Sequence, residues 1–378
     1  MRILTISGPL HREFGGPPMA ATGISAAMTT LNNQVKILVC GQSVLDCERN
    51  SIFFDKLRHA GTEVRVLVRR KESKYGTFLR IDELKSLWHD INNSEIVILH
   101  QIFELQYLSV LPILTLLKKP YAVMPHGTLT AYQRKQHRFR KILFFPPTYL
   151  FLKSSRAILV ATKQENDQLP GYLKAKGIIV GLGIELPDRQ TQKPVNANPT
   201  FNLLFMGRIA KKKRLDIAIQ AFALASKKSN LEMKFIVCGS GEERDVAQLK
   251  KLVENLQIQG KVDFRGWVDS NQKKLVFLES DCFILTSEDE NFAIAAAEAL
   301  AHGIPCILSS NVALASLVTK HNAGIVFQEL LPIEIEKAII KMSKTDRSIS
   351  KSSSLRAASE IGWDVIGRQW IEALKALI

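Results

Sequence analysis

The feature that most constrains this chain is a repeated alternation. Short β-branched apolar runs stand at Ile3–Ile6, Val35–Val39, Val64–Val68, Ile96–Leu99, Ala122–Met124 and Ala157–Val160, and the stretches between them are long enough for helices. Runs this apolar fit strands covered on both faces, as in a parallel sheet with crossover helices. Residues Pro187–Thr200, PDRQTQKPVNANPT, are polar and lack apolar periodicity, and they read as a linker. The alternation then restarts, with strands predicted at Leu203–Met206, Lys234–Val237, Cys282–Leu285 and Cys306–Leu308 and helices at Leu215–Ser226 and Asp245–Leu256. The reading is two α/β domains in tandem, residues 1–186 and 201–355, joined by residues 187–200. The segment 356–378 carries an amphipathic helix, predicted over Ser359–Ile378, with Trp363 and Trp370 on nearly one face. That helix is expected to pack back on the body of the protein, on the N-terminal domain.

Composition excludes several classes. Hydrophobic residues at 46% and charged residues at 23% fit a folded domain, not a disordered or fibrous one. The apolar run at residues 108–117 is shorter than the roughly 20 residues a bilayer needs. MRILTISGPL lacks the long apolar region of a signal peptide, so a cytoplasmic location is expected. Five scattered cysteines show neither zinc-ligand spacing nor a disulfide framework. Charge is uneven: residues 1–185 hold 25 Lys/Arg against 14 Asp/Glu, and no acid stands between Glu104 and Glu165 while ten cations do. A field of one sign favours an anionic partner.

Polar or glycine clusters follow the predicted strands at Gly15-Gly16-Pro17, Pro125-His126-Gly127, Gly207-Arg208, Gly239-Ser240-Gly241 and Thr286–Glu290. In open α/β sheets, ligands bind beyond the carboxyl ends of the strands. The clusters together therefore predict one ligand in a cleft between two domains. Gly15-Gly16 reads as an ordinary turn or as exposed amides for an anion. Arg208 and Lys213, within GRIAKKKRLD, read as a solvated basic loop or as a diphosphate clamp. In SEDENFAIAAAEALAHGIPC, Asn291 is expected to cap a helix from Phe292 to about His302. That helix is apolar apart from Glu298, whose carboxylate needs donors: ribose hydroxyls, an arginine or a backbone N–H. Glu290 stands at its start. Asp289 and Glu288 have no second ligand cluster to make a metal site. His126 reads as structural or as functional, at a strand end.

These residues together resemble family 4 of the retaining glycosyltransferases. The resemblance rests on Glu290 and Glu298 in ENFAIAAAEALAHGIP, downstream of Arg208 and Lys213, CGSGEE (Cys238–Glu243) and GWV (Gly266–Val268). PHGTLTAYQRKQHRFRK, ATKQEN and IGWDVIGRQW add to it. It implies the GT-B fold, with two Rossmann-like domains whose parallel sheets face across a cleft. It also implies transfer of a sugar from a nucleoside diphosphate sugar, with retention and without a required metal or other cofactor. Front-face attack by the acceptor hydroxyl, assisted by the leaving phosphate, is the implied mechanism. By position, Arg208, Lys213 and the amide of Gly16 would hold the diphosphate. Glu290 and the amides of Asn291, Phe292 and Ala293 would meet the sugar. Glu298 would bind the ribose; Gly239, Trp267 and Val268 would line the base pocket; His126 would approach the sugar. The chain departs from the family at Arg214 and Ala293, where glycines are usual, and at Gly181-Leu182-Gly183, where a proline-asparagine-glycine turn is usual.

The stretch Arg134–Lys153 interleaves cations with Phe139, Phe144, Phe145, Tyr149 and Phe151. It is expected to attach to an anionic membrane surface, with a glycan or lipid-linked acceptor. The competing reading places these aromatics in the core. The same composition suits nucleic acid, but no nucleic-acid module accompanies it. Two alternatives stand beside the transferase reading: an inactive scaffold of this fold and a nucleotide-sugar epimerase, which needs no acceptor.

Overall fold

The computed structural model describes the chain except residues 12–13, 44–46, 48–50, 70–76, 103, 131–132, 134–147 and 188–199. Twelve of the fourteen residues read as the linker, and most of the basic stretch Arg134–Lys153, therefore lie outside the described residues. The chain divides into two compact units, one of Met1–Gly183 with Trp363–Ile378, the other of Ile184–Gly362.

The first unit holds a seven-stranded parallel sheet in the order β3-β2-β1-β4-β5-β6-β7. The strands are β1 (Arg2–Ser7), β2 (Gln34–Ser43), β3 (Glu63–Arg69), β4 (Ile96–His100), β5 (Tyr121–Met124), β6 (Ala157–Val160) and β7 (Gly177–Ile179). Strands β4, β5 and β6 are buried at every position, as unbroken apolar runs require. One core cluster joins Leu4, Val97, Val123 and Ile158 to Tyr107, Val110, Leu114 and Phe151 from the following segments. Phe151, one of the aromatics of the basic stretch, is thus core: its ring stacks on Tyr107 and Tyr121.

The second unit holds a six-stranded sheet in the order β10-β9-β8-β11-β12-β13. Its strands are β8 (Thr200–Met206), β9 (Glu232–Cys238), β10 (Val262–Gly266), β11 (Cys282–Leu285), β12 (Cys306–Ser309) and β13 (Gly324–Phe327). Thr200, read as the end of the linker, opens β8. The strands the sequence reading misses are β7, β10 and β13. All three are sheet edges and mostly half-exposed. An edge strand needs fewer apolar residues, so its sequence carries a weaker signal.

Each sheet reverses its strand order once, at β1/β4 and at β8/β11. Such switch points open a crevice beyond the carboxyl ends of the two strands.

The boundary expected at residue 356 falls inside a helix, Arg347–Ser359, that stays with the second unit. The terminal helix is shorter than expected, Trp363–Lys375, and packs against α1 (Gly16–Thr30) in the first unit. It lies on a bed of glycines. A methyl at Gly23 would come 2.0 Å from the Trp363 ring and one at Gly183 2.4 Å. The Trp370 indole is fully buried and donates to the Gly181 carbonyl at 3.1 Å. The Gly181-Leu182-Gly183 departure is therefore a seat for this helix.

Candidate functional site

The loops that leave β8 and β11 meet at the second unit's switch point. After β8 the chain makes a short turn, Lys211–Lys213, before α2 (Leu215–Lys228). The loop after β11 wraps this turn. The Thr286 hydroxyl donates to the carbonyls of Lys213 and Arg214, at 2.9 and 2.8 Å, and the Ser287 hydroxyl to that of Lys212 at 3.2 Å. The Glu288 amide donates to the Lys212 carbonyl at 2.9 Å.

Two of the four cations in this run pair with carboxylates of the loop. Arg214 pairs with Glu288 at 2.8 Å and with Asp216 at 3.2 Å. Lys212 Nζ donates to the Asp289 carbonyl at 3.2 Å. Lys213 forms a close ion pair with Glu290, both side chains largely buried. Burial pulls the Lys213 ammonium below its usual range; Glu290 opposes the shift, and Lys212 and Arg208 add to it. The predicted clamp lysine and sugar acid thus hold each other. Arg208 is exposed and makes no hydrogen bond or ion pair among the described residues.

The expected helix differs at its start. α4 runs Ile294–Ala301, and its N-cap is Ala293, not Asn291. Ala293 has φ 64° and Arg214, the N-cap of α2, φ 48°. Left-handed backbone costs a non-glycine residue about 1–2 kcal/mol. The two departures from the family's glycines therefore occupy conformations that glycine adopts freely. With the cap moved, the amides of Asn291, Phe292 and Ala293 find no acceptor among the described residues. The Asn291 side-chain oxygen is buried without a partner there. Glu298, on α4, is not alone: Lys273 on α3 (Ser270–Glu279) reaches it at 2.6 Å. Lys273 escaped the sequence reading because nothing in its local pattern distinguishes it from a solvated helix lysine.

The Gly239 amide donates to the Gly266 carbonyl at 2.6 Å. A methyl there would sit 1.8 Å from the Gly207 carbonyl oxygen, and one at Gly241 2.4 Å from that of Ile209. These glycines let two strand ends run together. Trp267, just beyond β10, is 57% exposed, and Val268 is half-buried.

In the first unit, Gly16 opens α1 behind Gly15, which has φ 74°. His126 follows β5 at φ 53°, and its Nε2 lies 2.8 Å from Nδ1 of His100, the last residue of β4. The sequence reading singled out none of three further residues in this unit, Glu165, His100 and Glu104. Glu165 binds the Gly127 amide at 2.6 Å and the Ala161 amide at 2.8 Å, holding the His126 turn. His100 is fully buried. Glu104 is buried with its carboxyl pushed up to about 8 by burial, against one opposing bond from Gln106 at 3.4 Å. Only the capping pattern around Glu165, with Thr162 accepting from its amide, was visible in the sequence.

Two parallel sheets with helices, each reversing its strand order at a switch point, form an α/β protein. Solved structures set the fold as GT-B. Anabaena HepE, crystallised with UDP and glucose, superimposes with a TM-score of 0.74 at 14% identity, covering 100% of both chains. The pneumococcal O-GlcNAc transferase GtfA, in complex with UDP and GlcNAc, gives 0.70 at 13%, covering 100% of this chain and 99% of that one. Residues 188–359 match the family model of glycosyl transferases group 1. The chain spans between about a quarter and a half of the first curated relatives' length. An alpha-monoglucosyldiacylglycerol synthase of Streptococcus pneumoniae is 27% identical over 53% of this chain and 49% of its own. A GDP-mannose:cellobiosyl-diphosphopolyprenol alpha-mannosyltransferase of Xanthomonas oryzae is 24% identical over 97% and 95%.

Proposed function

We propose that the protein is a retaining glycosyltransferase that moves a sugar from a nucleoside diphosphate sugar to a hydroxyl of a glycan, polysaccharide or lipid-linked acceptor. The observation that carries this reading is the second unit's switch point, which holds the buried Lys213–Glu290 pair and, just after β8, exposed Arg208. A diphosphate suits this arrangement: Arg208 gives it paired hydrogen bonds and Lys213 a point charge. Lys213, turned to the phosphate, frees Glu290 to accept from sugar hydroxyls. The Asn291 oxygen adds an acceptor, and the amides of Asn291, Phe292 and Ala293 add donors. Glu298 takes the ribose hydroxyls, with Trp267 and Val268 beside the base.

In the reaction, the acceptor oxygen forms its bond to the anomeric carbon on the face that the diphosphate oxygen leaves. The acceptor's proton passes to that departing oxygen. The cations stabilise the negative charge that grows there, so this reading requires no metal or other cofactor. The relatives' names include diacylglycerol-linked and polyprenol-linked sugars, which supports an acceptor at the inner membrane face and a cytoplasmic protein that reaches it peripherally. No helix among the described residues is long and apolar enough to cross a membrane. Flotation with acidic liposomes at low salt tests the attachment; no binding there removes it.

A thermal-shift panel of uridine, guanosine and adenosine diphosphates, with their sugars, tests the donor. Ligand at 100 times its Kd stabilises the folded form by about 2.7 kcal/mol. One nucleotide should raise the Tm; Arg208→Ala should nearly abolish that rise and Glu298→Ala should weaken it. An equal rise in both variants contradicts the site.

A further inference from the structure

The hydrogen bond between His100 and His126 has no place in the reading above. The two rings are nearly parallel, with an interplanar angle of 19°, and the Nδ1–Nε2 distance is 2.8 Å. Both backbones are fixed. The Tyr107 hydroxyl donates to the His100 carbonyl, and Glu165 holds the turn that follows His126. One proton sits between the rings, and either histidine can own it. If His126 donated, His100 would carry its other proton on Nε2. That atom is buried and has no partner among the described residues. A buried N–H without an acceptor is rarer and costlier than an unfilled lone pair. The proton therefore belongs to His100 Nδ1, and His126 keeps its own on Nδ1.

We infer that His100 is a positioning residue: it fixes His126 as a neutral imidazole whose Nδ1–H donates to a substrate oxygen. This rests on the glycosyltransferase reading only for the identity of the oxygen. The tautomer follows from the geometry alone. The groups around the pair leave it neutral. Glu165 spends both oxygens on backbone amides, Tyr107 is a hydroxyl, and burial pushes His126 down to about 3 and His100 below its usual range. His126 would then be a fixed donor, not a proton carrier, and the rate should show no histidine titration between about pH 5 and 8.

Nitrogen NMR of the full-length protein labelled at histidine reads the tautomer directly. We expect His126 protonated on Nδ1 in the wild type and in His100→Asn, whose amide N–H replaces the Nδ1–H. In His100→Asp the carboxylate only accepts, so His126 should move its proton to Nε2 and become a titrating group near neutrality. With the nucleotide sugar that the thermal panel identifies, His100→Asp should lose about 10–100-fold in kcat and gain a pH-dependent limb, while His100→Asn stays near wild type. Both should keep the wild-type Tm response to the bare nucleoside diphosphate, which shows that the second unit is intact. An Nε2-protonated His126 in the wild type, or indistinguishable pH profiles for Asn and Asp, overturns the inference. A protein that binds no nucleoside diphosphate would instead overturn the glycosyltransferase reading, with the NMR result standing by itself.

Discussion

At the carboxyl ends of their strands the two units solve the same problem with opposite chemistry. The second unit gathers charges and lets them answer one another: Lys213 with Glu290, Arg214 with Glu288, Lys273 with Glu298. Beyond β4 and β5 the first holds groups that carry no charge near neutrality, His100, His126 and Glu104. Paired charges stay ready to exchange partners when an anionic ligand arrives. Neutral groups keep one fixed set of hydrogen bonds.

The contrast can be broken most forcefully at Trp370. Trp370→Ala removes a fully buried indole and its bond to Gly181, and should cost about 3–5 kcal/mol. The loss should fall on the first unit, leaving the nucleotide-induced shift measurable at lower temperature. If that shift vanishes as well, the two units do not keep separate accounts of stability.

Glu104 gives the next largest effect. Its folded carboxyl, near 8, lies above the unfolded value of about 4.3. Between those values the folded state binds the extra proton, so stability falls as pH rises, by about 1.4 kcal/mol per unit, and levels off above the folded value. Urea unfolding from pH 5 to 8 should show this slope, and Glu104→Gln should flatten it. Parallel curves for both proteins would mean that the carboxyl is ionised in the fold, erasing the contrast with the second unit.

The smallest effect sharpens the second unit's side. Ala293→Gly relieves a left-handed residue and should stabilise by up to about 1 kcal/mol, after the entropy that glycine adds to the unfolded chain. Arg214→Gly should gain nothing, because it also deletes two ion pairs. Equal gains in both would show that those pairs contribute little.

These residues also mark how far the sequence was readable. Central strands were legible because burial on both faces leaves unbroken apolar runs; edge strands β7, β10 and β13 were not, being half-exposed. Glu290, Glu298, Arg208 and Lys213 stood out as charges where the pattern calls for none, or for fewer. Their partners did not. Lys273 and His100 acquire meaning only when separate segments meet, and a capping position such as Asn291 depends on backbone angles that composition does not encode. Gly239 stood out as a glycine after a strand, but its close approach to the Gly207 backbone shows only in coordinates.

The helix Trp363–Lys375 completes a unit whose other residues end at Gly183. On a ribosome adding roughly 5–20 residues per second, the intervening 179 residues (184–362) delay that helix by roughly ten to forty seconds. Through that interval the seat made by Gly23 on α1 and by Gly181 and Gly183 lies bare while the second unit is being made and can fold first. A nascent chain of this protein therefore acquires its charged site before its neutral one is finished.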